Sequence, residues 1–284
     1  MTMVHQGKIS LRQKHAALFH HRLQPGLIAA WLVLFIVILW AIFPHWFTSY
    51  SPIDGIAGAQ RLPPGGGYIL GTDQLGRDLY TRIVYGSVHS LSGAAIAVGL
   101  GLALGSLLGL LAGALGGWLD SVVMRFIDIL LSIPGLLLAL SVIILLGFGT
   151  VNAAIAVGIT SIASFTRLIR AEALQVKHSD YVEAAYGSGG SFFSVLWRHI
   201  LPNTLNTVFA FAALQFGNAI LAISTLSFLG YGAPPPTPEW GLLIAEGRNY
   251  LSTAWWLTTF PGLVVVLVVL SANRISQSLR REQP

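Results

Sequence analysis

Residues 90–115 read SLSGAAIAVGLGLALGSLLGLLAGAL, without one charged side chain. As a helix, a run of that size is longer than the ~20 residues that cross a bilayer core of ~30 Å. The rest of the 284-residue chain has the same character: 54% of residues are apolar and 10% are charged, against about 25% charged in soluble domains. The mean hydropathy of +0.71 leaves too little charge to solvate a 30.4 kDa globule, so lipid is the expected medium. The 31 glycines have no collagen period and fall largely within apolar runs, where small residues let membrane helices approach closely. The sequence contains no cysteine, which removes disulfides, thiolate nucleophiles and Cys-ligated metals. A net charge of +5, scattered along the chain, does not point to nucleic acid.

Working outward from 90–115, uncharged or nearly uncharged windows recur at about 27–46, 126–146, 152–165, 203–228 and 254–272. The expected fold is all-α and polytopic, with six transmembrane helices. The 126–146 window contains Asp128 and Pro134, and 152–165 is short unless it borrows flanking residues. If the N-terminus is inside, twelve of the 16 Lys and Arg fall on inner segments and four, Arg61, Arg77, Arg82 and Arg248, fall outside. Basic residues are retained on the cytoplasmic side, so both termini are expected inside, with the first span as a retained signal anchor.

The expected organisation follows: a cytoplasmic segment at 1–25, the first span and a long outside loop over 26–89, a membrane core over 90–272, and a cytoplasmic tail over 273–284. The outside loop carries RLPPGGG at 61–67 and GTDQLGRD at 71–78, and a second outside loop carries PPPTPEWG at 234–241. The long inside loop, 166–202, mixes charges with apolar residues at helical spacing and has Pro202 near its end. Its apolar clusters, Val182 and Ala185, then Phe192, Phe193, Val195 and Leu196, flank a Gly-rich centre. That pattern suits a short helix beneath the membrane, or an amphipathic loop that only packs against the bilayer.

The inside loop resembles the EAA signature of permease subunits in binding-protein-dependent ABC importers: Glu183, Ala184 and Ala185, then Gly189, then His199, Leu201 and Pro202. GTDQLGRD, PPPTPEWG, EGR at 246–248 and FPG at 260–262 further resemble the C-type permease of the dipeptide, oligopeptide and nickel branch. The resemblance runs from the first span to about Ser271. It implies a bacterial inner-membrane, multi-pass subunit that pairs with a second permease as a heterodimer, two cytoplasmic ATPase subunits and a periplasmic or extracellular solute-binding protein. It also implies a coupling helix at about 181–200 with Glu183, Ala184, Ala185 and Gly189 docked in an ATPase groove. ATP and Mg would be used by those partners, this chain binding no cofactor and catalysing nothing. The implied cargo is short peptides, with nickel or metal–metallophore chelates as the alternative. The tail, NRISQSLRR at 273–281, lacks the family's acidic ending, so the resemblance does not carry a family contact over to it.

Glycine costs a helix about 1 kcal/mol relative to alanine, so Gly187, Gly189 and Gly190 lead to the expectation that docking orders the coupling helix. Gly101, Gly105, Gly109, Gly113 and Gly117 recur every four residues, the spacing of a close-packing ridge or, less simply, a hinge. In the fifth span Asn203, Asn206, Thr207, Gln215, Asn218, Ser224 and Thr225 share about half of the circumference, a sector that either lines a translocation path or bonds between helices. Asn206, Gln215 and Asn218 are the candidate lining. Asp128, with Arg125 three residues earlier, reads as a helix-end carboxylate within reach of water. His15, His20 and His21 match no metal-ligand spacing, and the only Gly-Lys pair, Gly7-Lys8, lacks a phosphate-binding loop. A secondary transporter driven by an ion gradient would need ionisable groups near midplane, and a membrane-embedded enzyme would need paired carboxylates or a His-metal motif within its spans.

Overall fold

A computed structural model describes residues 25–281. The basic segment with His15, His20 and His21, and residues 282–284, lie outside the described residues. Helix α1, Pro25–Ile42, opens on a proline, tolerated in a first turn. It stops before Pro44, whose ring disfavours a helical residue ahead of it, and a single 3-10 turn, Pro44–Trp46, follows. Only Ala30 and Val37 of α1 are buried, as expected of a helix that faces lipid over most of its surface.

Helix α2, Leu79–Leu115, starts within the expected outside loop, eleven residues before the apolar window at 90. The added stretch contains Arg82 and His89. The helix nevertheless begins at a true N-cap, Asp78, whose side chain accepts from the Thr81 amide. At its other end Gly116 and Gly117 take positive φ, +69° and +60°, and turn the chain.

The expected third span is not straight. Helices α3, Gly117–Ser132, and α4, Gly135–Leu146, meet at 95°. Ile133, preceding Pro134, is extended at φ −88° and ψ 130°, the conformation that a following proline imposes. Five described helices are long and apolar enough to cross a bilayer, and the bent pair supplies a sixth crossing when taken as one.

Helix α5, Thr150–Lys177, extends the short 152–165 window through Arg167 and Arg170 into the expected inside loop. Helix α6, Asp180–Gly187, is followed by a turn and then by α7, Phe192–Phe228. Pro202 stands in the first turn of that helix's regular α-helical run, Leu201–Phe228, where proline is tolerated. The turn Leu196–Ile200 just ahead of it is π-helical, a local widening that accommodates the missing proline N–H. Helix α8, Trp240–Gly247, lies in the second outside loop, and α9, Trp256–Arg281, runs on through most of the expected tail. Among the described residues the only β contacts are two isolated bridges, Gly65 with Tyr68 and Thr72 with Asp78.

The two ends of the bundle are distinct. At one, Trp240 and Trp256 donate indole N–H groups to the carbonyls of Ile83 and Thr72. At the other, a small apolar cluster joins Ala114 of α2, Ala173 of α5, Val182 of α6, and Val195, Leu196 and Ile200 of α7. Helices α2 and α5 therefore run in the same direction between those ends. Gly26 of α1 lies near Arg274 of α9, so the start of α1 and the basic end of α9 share one end of the bundle.

Candidate functional site

The inside loop folds as a helix, a turn and a second helix. The structure thus divides the expected coupling helix at 181–200, and it does not put Gly189 on the helix with Glu183. Helix α6 carries Asp180 and Glu183 in its first turn, where negative charge suits the helix dipole. Gly189 occupies the turn beyond it at φ +85°, its amide donating to the Tyr186 carbonyl at 2.9 Å. No neighbour would meet a Cβ at Gly189, so the backbone conformation alone calls for glycine. Gly190 is different: a Cβ there would come within 2.7 Å of the Ala185 carbonyl oxygen. These two glycines serve a turn, and of the loop's three, Gly187, Gly189 and Gly190, only Gly187, the last residue of α6, lies on that helix.

Val182 anchors the underside of α6 in the apolar cluster at the helix ends, while Glu183 and Ala184 are exposed and Ala185 is half-buried. Around them Tyr181, Tyr186, Phe193 and Trp197 are also exposed, the last two by 68% and 65%. A cleft of about 370 Å³ separates α6 from α7 and is lined by Tyr181, Ala184, Ser188, Arg198 and His199 among others. Leu201 and Pro202 lie farther along α7, outside that cleft.

The bend between α3 and α4 opens a second cavity, of about 580 Å³, against α5 and α7. Gln215 and Asn218 line it with Thr225 of α7 and with Thr160, Ser161 and Ser164 of α5, and its lining has no charged side chain. Asn218 donates to the Gln215 side-chain oxygen at 2.9 Å. Thr160, Ser161 and Thr225 bond back to their own helices, which leaves the two amides and Ser164 as the polar side chains available to a guest. Asn206, although exposed, lies outside this cavity, and Asn203 donates to the His199 carbonyl.

The glycine series faces α5. A Cβ on Gly101 would come within 2.7 Å of the Ser161 Cβ; on Gly105, within 2.5 Å of the Phe165 Cβ; on Gly109, within 2.7 Å of the Thr166 carbonyl oxygen; on Gly113, within 2.8 Å of the Ala173 Cβ. Each glycine meets the residue about sixty positions later, as two parallel helices in constant register must. Gly117 is not in this seam but in the turn after α2.

Asp128 pairs with Arg167 of α5 rather than with Arg125. Its neighbour on α3, Asp120, forms a two-pronged pair with Arg170. Together the pairs fasten α3 to the inner half of α5.

At the outer end the fold builds a feature that sequence reading missed. Asp73, Arg77, Arg82 and Glu246 form a buried ion network: Asp73 Oδ2 accepts from Arg77 Nε at 2.6 Å and from Arg82 Nη1 at 2.8 Å, and Arg82 Nη1 also donates to Glu246 at 2.7 Å. Arg77 and Arg82 are 1% and 0% exposed. Glu239, also buried, caps α8 by accepting from the amides of Gly241 and Leu242, and takes the Ser90 hydroxyl as well. The two outside loops are thereby fastened to each other and to the head of α2. The available signal was the charge content of GTDQLGRD and EGR, segments noted for their resemblance but not for the burial of their charges.

The geometry is matched by kinship. Residues 105–282 match the family described as "Binding-protein-dependent transport system inner membrane component". The chain is 40% identical over 264 residues to the "Glutathione transport system permease protein GsiD" of Shigella flexneri serotype 5b, covering 91% of this chain and 86% of that protein. The protein of the same description from Escherichia coli O6:K15:H31 is 39% identical over the same shares. The "Di/tripeptide transport system permease protein DppC" of Pseudomonas aeruginosa UCBPP-PA14 is 37% identical over 261 residues, 90% of this chain and 86% of that one.

Proposed function

Because this chain belongs to the inner-membrane components of binding-protein-dependent transport systems, and is thus a non-enzymatic permease subunit of an ABC importer, we propose that its cargo is short peptides and that α6 is its contact with the ATPase. The observation that carries the second half is the inner surface of α6. Its underside is held by Val182 against the ends of α2 and α5, and its outer side presents Glu183, Ala184 and a set of uncovered aromatic residues. A partner docking there pushes on two spans at once. The α2–α5 seam, closed by the glycines, then transmits the push along the membrane normal as one stiff unit.

In this reading the chain pairs with a second permease, forms a complex with two ATPase subunits that consume ATP and Mg, and receives cargo from a solute-binding protein. The cavity at Gln215 and Asn218 is this chain's share of the path. Its neutral amides offer hydrogen bonds to peptide groups without holding a charged guest too tightly to release. Relatives described as glutathione and di/tripeptide permeases support the cargo class over metal chelates.

The test is reconstitution of the full complex in proteoliposomes with its binding protein. Glu183→Ala and, separately, Gly189→Ala should leave the complex assembled while uptake per ATP hydrolysed falls. A chain that takes up peptide without ATPase subunits would overturn the proposal. A melting-shift screen of the binding protein with peptides and chelated metals reads the cargo directly.

A further inference from the structure

A third cavity, of about 370 Å³, opens at the outer face where the strap after α1 crosses the head of α2. Its lining residues include the aromatic Trp46, Phe47, Tyr50 and Tyr80, with His45 and Asp78. Asp78 is 5% exposed. One of its oxygens, Oδ2, accepts from the Thr81 amide at 2.8 Å and the Thr81 hydroxyl at 2.6 Å, the duty of an N-cap. The other, Oδ1, accepts no hydrogen bond among the described residues and is not one of their sealed, orphaned polar atoms. A carboxylate that is nearly buried, half-used and at the wall of an aromatic cavity calls for a positive guest. The neighbouring side chains do not supply it: Arg77 and Arg82 are held by Asp73 and Glu246, and His45, which shares the cavity wall, has its Nδ1 bonded to the Tyr85 hydroxyl at 2.7 Å.

We propose that this cavity binds a primary ammonium group, with Asp78 as its counter-charge and Trp46, Tyr50 and Tyr80 as its walls. The donor set selects among cations. Calcium or magnesium would need about six oxygens, and one free carboxylate oxygen among rings does not provide them. A guanidinium prefers both oxygens of a carboxylate, and Oδ2 is engaged. An ammonium needs one strong acceptor and gains from ring faces, and Ser49 is a further lining residue, whereas the Thr48 hydroxyl is engaged with that of Thr81. Two sources carry that group to this place: the free amino end of a peptide, and the ethanolamine headgroup of an outer-leaflet lipid, since α1 leaves the membrane just beside the cavity.

The experiment uses the complete transporter in nanodiscs. In discs of phosphatidylglycerol alone, dialanine binding is compared with that of N-acetyl-dialanine by titration calorimetry without binding protein. In mixed discs, native mass spectrometry compares retention of phosphatidylethanolamine with that of phosphatidylcholine, its trimethylated counterpart. One arm or both should prefer the free amine. Asp78→Asn keeps a cap residue and removes the charge, and should weaken that amine by roughly tenfold, the scale of one charge-assisted hydrogen bond. Trp46→Ala, at a ring 77% exposed, should weaken it without touching the fold, and it carries the test alone if Asp78→Asn does not assemble. Dialanine-only preference assigns the peptide source and lipid-only preference the headgroup. Equal binding of blocked and free amines in both arms, or full amine binding by a folded Asp78→Asn or Trp46→Ala complex, would overturn the site. ATP-coupled uptake in the same preparations reads the permease function separately.

Discussion

Arg82 and Glu246 stand 164 positions apart in sequence and meet at 2.7 Å, one at the head of α2 and the other in the helix of the second outside loop. Through them two loops that look like independent surface excursions become one buttressed cap.

Removing Glu246 from this network leaves two buried arginines to share the single carboxylate of Asp73, one positive charge in excess. Glu246→Ala should therefore destabilise the folded chain by about 3–5 kcal/mol, the usual cost of breaking a buried pair. Thermal melting of the purified complex reads this, and Glu246→Gln, which keeps an acceptor for Arg82, should fall between mutant and wild type. Unchanged melting for Glu246→Ala would mean that the cap does not depend on the pair.

The α2–α5 seam makes a sharper contrast within a single helix. Gly105→Ala would place a methyl 2.5 Å from the Phe165 Cβ, with the Ile162 carbonyl oxygen at 2.8 Å, whereas Gly99→Ala meets nothing within 4 Å. The first should lower the melting temperature and impair uptake, with overpacking costing about 1–3 kcal/mol. The second should be neutral or slightly stabilising, since alanine favours a helix over glycine by about 1 kcal/mol. Equal behaviour of the two variants would disprove a tight seam.

In the central cavity, Gln215→Ala combined with Asn218→Ala removes the paired amides but no buried apolar anchor. Peptide uptake should drop severalfold while assembly and basal ATP hydrolysis stay normal. Unaltered uptake by the double variant would take both residues out of the path.

For the outer face, replacing Pro234, Pro235 and Pro236 by a Ser-Gly-Ser linker should reduce stimulation of ATPase activity by the binding protein. These three prolines are exposed, whereas Pro238, Glu239 and Trp240 beside them are buried, so a swap of all of 234–241 would report on folding instead. Full stimulation by the three-residue variant would place binding-protein docking elsewhere.

The charges and glycines mark where sequence reading succeeded and where it stopped. The membrane medium, the approximate place of most spans and the family signature were legible, because each rests on properties of neighbouring residues. The start of α2 at Leu79 was not, since the stretch ahead of the apolar window contains Arg82 and His89 and nothing local reveals that Asp73 and Glu246 neutralise the arginine. Likewise Pro134 was visible as a disturbance, but a 95° bend with a cavity in its elbow depends on what α5 and α7 offer against it. Gly189 read as a helical residue in a signature, and its positive φ exposed it as the turn that frees α6 from α7.

Sequence alone therefore determined the medium, the topology and the kind of machine, because burial in lipid and retention of positive charge inside add up residue by residue over windows of about 20. Tertiary structure alone decided which charges meet, which glycines are pressed against a neighbour and which polar groups face a cavity. Those outcomes depend on distances of a few ångströms between segments as far apart as Arg82 and Glu246, and a linear sequence does not encode such distances locally.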